Sequence, residues 1–582
     1  MRILGISAHY HDSAAALVID GLPVGAVEEE RLSRKKGDAS FPLRAIDWCL
    51  ESAGVRPEEL DAVVFYEKPM RKVERIITTA LRSFPHSWPA FPKAVTNAFG
   101  EKLWVKGTIA AQLGVPGTKI LFTEHHQAHA AAAFLTSPSD DAAILTVDGV
   151  GEWATLTIGR GTRSGGHATI ELFREVRFPH SLGMFYSTFT AWLGFPINEG
   201  EFKVMGLAAY GKPAMEREVR RVLRRTEDGA FELDLQYFDF HAGAKRSFSR
   251  RFIDAFGEPR APHGPLDPAT AEGAHYADVA RSVQVVLEDT LVDLARTVRR
   301  ETGARDLCIG GGVALNGCAN ARILGESGFD RVFVPYAPGD GGSALGAALY
   351  ADRAHFAGLH REVPDHPYWG PEADAAELVR LAREDDLPFE VLDGDDAVAE
   401  SVANEIAAGR IVGWMNGRTE LGPRALGNRS ILAAPGPSSV RDRLNRSIKF
   451  REEFRPFAPA VPIEDAATFF DLPSGGERLG RFMSSVFPMK PEFRERLGAV
   501  AHVDGSSRVQ TVDRTMAPRF WCLLRAVERK IGVPIVLNTS FNLAGEPIVS
   551  SAVEGYSTFQ RSGIDLLVGG NTIVRKREQS PC

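Results

Sequence analysis

"RILGISAHYHDSAAALVIDG" (Arg2–Gly21) and "AAILTVDGVGEWATLTIGRG" (Ala142–Gly161) decide how this chain folds. Each starts with an apolar run, passes a short polar turn, resumes with a second apolar run and closes on glycine. That plan predicts a strand, a tight turn and an antiparallel strand. Its return at residue 142 predicts a duplicated α/β unit. The first turn carries His11 and Asp12, the second Asp148, Gly149 and Gly151.

Such hairpins are similar to those that open each half of the duplicated fold shared by actin, sugar kinases and the Hsp70 ATPase, whose turns face nucleotide phosphates. Two further segments suit that plan. "LCIGGGVALNGCANARIL" (Leu307–Leu324) runs from a short strand through Gly310, Gly311 and Gly312 into a helix. Glycines there admit a ligand to the backbone, and the helix N-terminus favours anions. "YAPGDGGSALGAALY" (Tyr336–Tyr350) sets Asp340 in a glycine loop ahead of an Ala/Leu helix. "GVGEWA" matches the dinucleotide-binding spacing formally, but a strand rather than a helix follows it, so that reading is set aside.

"TEHHQAHAAAAFL" (Thr123–Leu135) reads as a helix carrying three histidines. His125 and His129, four apart, share a face, while His126 points elsewhere. Such a pair can grip a metal ion, or can be two ordinary helix histidines.

At 582 residues and 63.4 kDa the chain needs two or three domains. A formal charge of −7 and a pI of about 6.2 argue against a general nucleic-acid binder. Five scattered cysteines without a C-x-x-C pair fit a reducing compartment. No apolar stretch reaches the roughly 18–20 residues that span a bilayer, and the chain is expected to be cytoplasmic, without a membrane partner. The proline- and charge-rich run after Tyr350 places a linker at 358–371, between a first domain at 1–357 and a second at 372–582.

The second domain concentrates cations. Between Arg418 and Arg455 lie nine arginines and lysines against four acids. Part of that run, "SVRDRLNRSIKF", reads as a solvated helix face. Arg424 and Arg429 lie in "ELGPRALGNRSI", where a loop can aim them inward, and Arg455 lies in the apolar "EFRPFAPAV". Guanidinium forks match phosphate oxygens, so a small, highly anionic substrate is expected here. Arg508 in "SSRVQTV", and Asn538, Ser540 and Asn542 in "IVLNTSFNLAGEPIV", add further ligand-facing groups.

Ten segments in order resemble one family: "GISAHYHDSAAALV", "EEERLSRKK", "EHHQAHAAAAF", "TVDGVGEW", "NEGEFKVMGLAAYG", "GGGVALN", "PGDGGSALGAAL", "GRTELGPRALGNRSIL", "KFREEFRPFAPA" and "LNTSFNLAGEPIV". The family is the O-carbamoyltransferases of nodulation-factor and antibiotic biosynthesis, itself similar to the tRNA threonylcarbamoylation enzymes fused in one chain. The resemblance implies an N-terminal actin/Hsp70-like (RNase H-like) domain and a C-terminal α/β domain like the threonylcarbamoyl-AMP synthases (YrdC-like). It implies a metal, Fe(II) with Zn or Mn as alternatives, held by His125, His129, Asp148 and Asp340. It also implies nucleotide contacts at Asp12, Gly149, Gly151, Gly311, Gly312, Asn316 and Asp340.

The implied reaction has two stages. Carbamoyl phosphate and ATP, the latter with Mg, give carbamoyl-AMP on Arg424, Lys449, Arg455, Arg508, Ser540 and Asn542, with Arg424, Lys449 and Arg455 acting on the reacting phosphates. His11 then deprotonates a hydroxyl of a small-molecule acceptor, which takes the carbamoyl group, and AMP leaves. Two other readings stand beside this one. A phosphotransferase of the sugar-kinase type explains the hairpins but not the histidine–aspartate set, and a tRNA-modifying fusion enzyme meets an unfavourable charge. The aromatic-rich stretch 178–211 is read either as an acceptor pocket or as plain core.

Overall fold

The computed structural model describes residues 1–84, 104–242, 246–262, 264, 266–449 and 454–577. Arg451 of the cation run and Cys582 lie outside the described residues. The chain divides into two compact units, residues 1–26 with 39–364 and residues 27–38 with 365–582.

The first unit is mixed α/β and is built on two five-stranded sheets of identical plan. One runs Leu22–Glu28, Ala14–Ile19, Arg2–Ser7, Ala62–Phe65, Ile120–Phe122. The other runs His167–Arg177, Ala154–Ser164, Asp141–Val147, Asp306–Gly310, Arg331–Phe333. In each, the first strand pairs antiparallel with the second and parallel with the fourth. Both sequence hairpins therefore form as read, and the duplication extends to the whole sheet. The central strands Arg2–Ser7 and Asp141–Val147 are almost continuously apolar because both of their faces are covered.

The helices that cover the inner faces are His125–Leu135 and Asp340–Tyr350. The second packs on the first sheet: a Cβ at Gly5 would lie 1.9 Å from the carbonyl oxygen of Ala344. The first packs on the second sheet, where a Cβ at Gly161 would fall 2.5 Å from the ring of Phe134. The two helices touch each other across glycine and alanine. A Cβ at Gly346 would lie 2.1 Å from the oxygen of Ala128. The alanines of "HAAAAF" thus do more than favour helix: they let two backbones meet at the centre of the unit.

The second unit is an eight-stranded mixed sheet, in the order Phe389–Val391, Thr572–Arg575, Leu566–Gly569, Val412–Met415, Arg429–Ala433, Val536–Ser540, Ala458–Pro462, Gln510–Val512. Helices Asp395–Ala407 and Pro518–Ile531 pack against it through Val398, Val402, Ile406, Phe520, Leu523 and Val527, around Trp414. Of the residues read as linker, Tyr368 onward form a strand, Tyr368–Glu372, paired with Arg418–Glu420. Prolines and charges suggested a tether there, but the pairing partner lies 50 residues on, where local composition gives no sign of it. Residues 27–38, inside the N-terminal half of the sequence, belong to this second unit. Among the described residues no helix is long and apolar enough to cross a membrane.

Candidate functional site

Parallel pairing of Asp306–Gly310 with Asp141–Val147, in register Gly310 to Thr146, brings Asp148 and the Gly311–Gly312 turn to one sheet edge. The approach is close enough that only glycine fits. Gly311 has φ +93°, and a Cβ on it would sit 2.2 Å from the oxygen of Val147. The Gly312 N–H donates to Asp148 Oδ1 at 2.9 Å, fixing that carboxylate. A Cβ on Gly151 would crowd the His125 side chain at 3.0 Å.

Helix His125–Leu135 begins against the same loop. No side chain of its own segment caps it; instead Glu152, from "TVDGVGEW", accepts the His125 N–H at 3.1 Å. A carboxylate at a helix N-terminus is electrostatically favourable, and here it also ties the histidine helix to the Asp148 loop. Glu152 is a functional residue the sequence reading passed over, although it stood in a quoted segment.

Four side chains meet at this point. The candidate ligand atoms of His125, His129, Asp148 and Asp340 all lie within 4.8 Å of one another, and all four residues are buried. His125 Nε2 is 2.9 Å from Asp148 Oδ2 and 3.7 Å from Asp340 Oδ1. His129 Nε2 is 3.6 and 3.4 Å from the same two oxygens. The two Nε2 atoms face each other at 3.1 Å, and Asp340 Oδ2 is buried without a hydrogen-bond partner. A divalent cation fits this donor set: it would satisfy the orphaned oxygen and receive both imidazole lone pairs. Ser343 Oγ, 3.0 Å from His129 Nδ1, holds the far side of that ring.

The electrostatics agree with that geometry. Burial opposes a charged imidazole at His129, but hydrogen bonds to Asp148 and Asp340 overcome it and raise its pKa to about 9. Burial likewise opposes ionisation of Asp148, yet the two histidines hold its carboxyl well below the usual range. His126 is not part of the set. Its ring lies between Thr146 Oγ1 at 2.5 Å and the Ala154 carbonyl at 2.8 Å, and burial pushes its pKa down to about 3.

His11 stands in the first hairpin turn, its Nδ1 3.0 Å from Asp12 Oδ2. Asp12 has φ +51° in this tight turn. Burial disfavours a charged His11, but the Asp12 hydrogen bond and the charges of Asp340, Asp12 and Asp148 together raise it to about 9. The field of the two aspartates therefore reaches His11. Tyr10 bridges the two turns, its hydroxyl 3.9 Å from the Cβ position of Gly149. Asn316 serves the fold: it caps helix Gly317–Glu326 through Ala319 N at 3.1 Å and pairs its amide with Gln284. In the stretch 178–211, Phe185, Phe189, Trp192 and Phe195 are core, whereas Phe202 and Tyr210 are exposed.

In the second unit the residues read as an anion site lie toward one end of the strands. Ser540 ends its strand opposite Ser430, near the start of Arg429–Ala433. Arg455 and Arg508 precede Ala458–Pro462 and Gln510–Val512, which begin at that same end. Lys449 Nζ is buried among oxygens, at 2.5 Å from Ser540 O, 2.8 Å from Asn542 Oδ1 and 3.1 Å from Asn542 O. Burial, followed by the charges of Arg508 and Arg455, drives the Arg424 pKa well below its ordinary value. Arg424 makes no hydrogen bond or ion pair within the described residues. Arg455 and Arg508 lie near enough for their charges to act on Arg424, and an anion would relieve that repulsion.

Other cations of the run serve the fold. Arg429 is fully buried and donates to the carbonyls of Asn416, Gly417, Asn428, Pro371 and Ser550. Arg443 pairs with Asp565. Asn538, read as ligand-facing, instead donates to Gln510 Oε1 at 2.6 Å and braces the Ala425 carbonyl.

Residues 2–349 match a family model described as carbamoyltransferase N-terminus, and residues 403–576 one described as carbamoyltransferase C-terminus. The chain is 41% identical to a protein of Synechocystis sp. designated sll1178, over 99% of this chain and 97% of that one. It is 37% identical to nodulation protein NolNO of Sinorhizobium fredii, over 98% of this chain and 80% of that one. Among solved structures, HypF of T. kodakarensis superposes with a TM-score of 0.31 at 15% identity, over 62% of this chain and 48% of that one.

Proposed function

From the premise that this chain belongs to the carbamoyltransferase family and is an enzyme of that class, we propose that it is an ATP-dependent O-carbamoyltransferase working in two stages. In the second unit carbamoyl phosphate gives up its phosphate to water, and the carbamate oxygen bonds to the α-phosphorus of ATP as pyrophosphate leaves, forming carbamoyl-AMP; the first unit transfers the carbamoyl group to a hydroxyl of a small-molecule acceptor. The observation that carries this reading is the Arg424–Arg455–Arg508 cluster with Lys449 beside Ser540 and Asn542. The barrier to joining two anions is largely their mutual repulsion, and fixed cations at the reacting phosphates lower it. Arg424, Arg455 and Lys449 hold the phosphates. Ser540 and Asn542 orient Lys449 and supply neutral hydrogen bonds to the carbamoyl end.

In the first unit, of actin-like plan in this reading, the glycine turns at Gly149, Gly151, Gly311 and Gly312 receive the adenylate, with Asp12 beside them. His125, His129, Asp148 and Asp340 would hold a divalent metal, for which the two-nitrogen, two-oxygen set suits Fe(II). When bound, that ion supplies Lewis acidity toward the carbamoyl carbonyl or the adjacent phosphate. The neutral form of His11, oriented by Asp12, takes the proton of the acceptor hydroxyl as the oxygen attacks, and AMP departs, so transfer quickens as pH rises toward the raised His11 pKa. Direct detection tests the reading. Mass spectrometry of a quenched reaction with ATP, Mg and 13C-carbamoyl phosphate, without acceptor, should reveal labelled carbamoyl-AMP. No labelled adenylate there, together with ADP and a phosphorylated hydroxyl compound when candidate acceptors are supplied with ATP alone, would establish the phosphotransferase reading.

A further inference from the structure

The short helix Glu29–Ser33 and its flanks lie in the N-terminal half of the sequence, yet they pack within the second unit, and what they touch there is the backbone of the anion-site loops. Glu28 and Arg31 are 6% and 1% exposed. Glu28 Oε1 accepts the N–H of Gly422 at 2.5 Å, and Arg31 Nη2 donates to the carbonyl of the same glycine at 2.5 Å. The two side chains face each other, Arg31 Nε lying 3.5 Å from Glu28 Oε2. One residue is thus gripped at both its polar atoms by one buried ion pair. Gly422 has φ +109° and stands two residues before Arg424.

The loop is held on its other side as well. Glu420 Oε1 accepts the N–H groups of Leu426 and Asn428 at 2.7 and 2.8 Å. Among the described residues the Arg424 side chain has no hydrogen bond to fix its direction, and Arg455 and Arg508 repel it. Its aim is therefore set by the backbone. Arg34, closing the same helix, donates to the carbonyls of Pro547 and Ile548 at 3.0 and 2.8 Å, in the loop that follows Asn542. A single segment thereby holds two of the loops that carry residues of the proposed anion site.

We propose that Glu28 and Arg31 are positioning residues for Arg424, so that residues 27–38 are a working part of the phosphate-binding unit. The inference rests on the adenylation reading for its role in the reaction, and on the clamp geometry alone for its role in anion binding. The test uses the full-length chain with Glu28→Gln and Arg31→Lys, each of which keeps the size of the side chain. Gln retains an acceptor but no charge for Arg31; Lys retains the charge but lacks the fork that reaches Glu28 and Gly422 together. Carbamoyl-phosphate-dependent pyrophosphate release and calorimetric affinity for inorganic pyrophosphate are measured beside thermal melting.

Both variants are expected to raise KM for carbamoyl phosphate, and to weaken pyrophosphate binding, by tenfold or more, with the loss falling on KM rather than on kcat. A purely structural role would lower the melting temperature and the active fraction while leaving both affinities alone. That result, or affinities within threefold of the parent in well-folded variants, overturns the inference. Should the parent release no pyrophosphate, the adenylation reading fails, and the binding measurement still decides the clamp.

Discussion

Gly346→Ala adds one methyl group at the crossing of the two central helices, and the structure sets its consequence. The new Cβ would stand 2.1 Å from Ala128 O, 2.8 Å from Ala132 N and 3.0 Å from Ala132 Cβ. A carbon–oxygen contact needs about 3.3 Å, so the helices must separate by about 1.2 Å. None of these three contacts is with a flexible side-chain end that could swing away. Ala128 adjoins His129 on one helix, and Asp340 opens the other. The displacement therefore falls between the histidine pair and one of its carboxylates. Metal–ligand distances tolerate only about 0.2 Å, which makes the shift several times too large for the donor set to close. Overpacking costs about 1–3 kcal/mol, so the protein should remain folded but melt earlier. Affinity for Fe(II), or for Mn(II) as a stable surrogate, should fall about 10–100-fold, the range for disturbed support of ligating groups. The assay is metal content after dialysis against a weak chelator, with melting measured alongside. A folded Gly346→Ala protein that keeps one tightly bound ion would refute the claim that this helix crossing sets the site.

Other consequences can be checked separately. His129 in the metal-free protein is raised to about 9, so at pH 7.5 an incoming cation must displace a proton. Calorimetry in buffers of different ionisation enthalpy should give about one proton released per ion at pH 7.5, vanishing above about pH 10. The sign for stability follows: a folded pKa above the unfolded value stabilises the metal-free protein fully below about pH 6.5, and that contribution is lost as pH rises through about 9. Asp12→Asn removes the partner that raises His11, so the acid limb of the transfer rate should move to lower pH; an unmoved limb would detach Asp12 from His11. Arg455→Ala should abolish carbamoyl-AMP formation while leaving the metal bound, whereas His11→Ala should form the adenylate and fail in transfer. Glu420→Leu strands the N–H groups of Leu426, Asn428 and Arg429 and should cost about 3 kcal/mol or more of stability, read from denaturant midpoints.

Much of this was legible in the sequence because it is local. The two hairpins, the histidine helix and the glycine turns rest on patterns of three to twenty residues, and each forms where the pattern placed it. The grouping of His125 and His129 with Asp148 and Asp340 could be read only through a family resemblance, since Asp340 lies more than two hundred residues from His125 in sequence. What escaped was whatever depends on distant partners. Arg429 looked like an anion ligand because it shares a glycine- and proline-containing loop with Arg424, yet five backbone carbonyls claim it. Asn538 braces a loop for the same kind of reason. The alanines after His129 read as helix formers, while their smallness matters more because another backbone passes over them. Residues 27–38 gave no local sign of folding with the C-terminal unit, because their partners, Gly422 and the 547–548 loop, lie some four to five hundred residues on in sequence.

The central claim is that the arginine-rich unit joins two anions. Pyrophosphate release by the purified full-length protein, with ATP and Mg, with and without carbamoyl phosphate and with no acceptor, tests it most directly. Release that requires carbamoyl phosphate and disappears in Arg424→Ala is the predicted result. Release independent of carbamoyl phosphate, or none from a folded and metal-loaded protein, would contradict it.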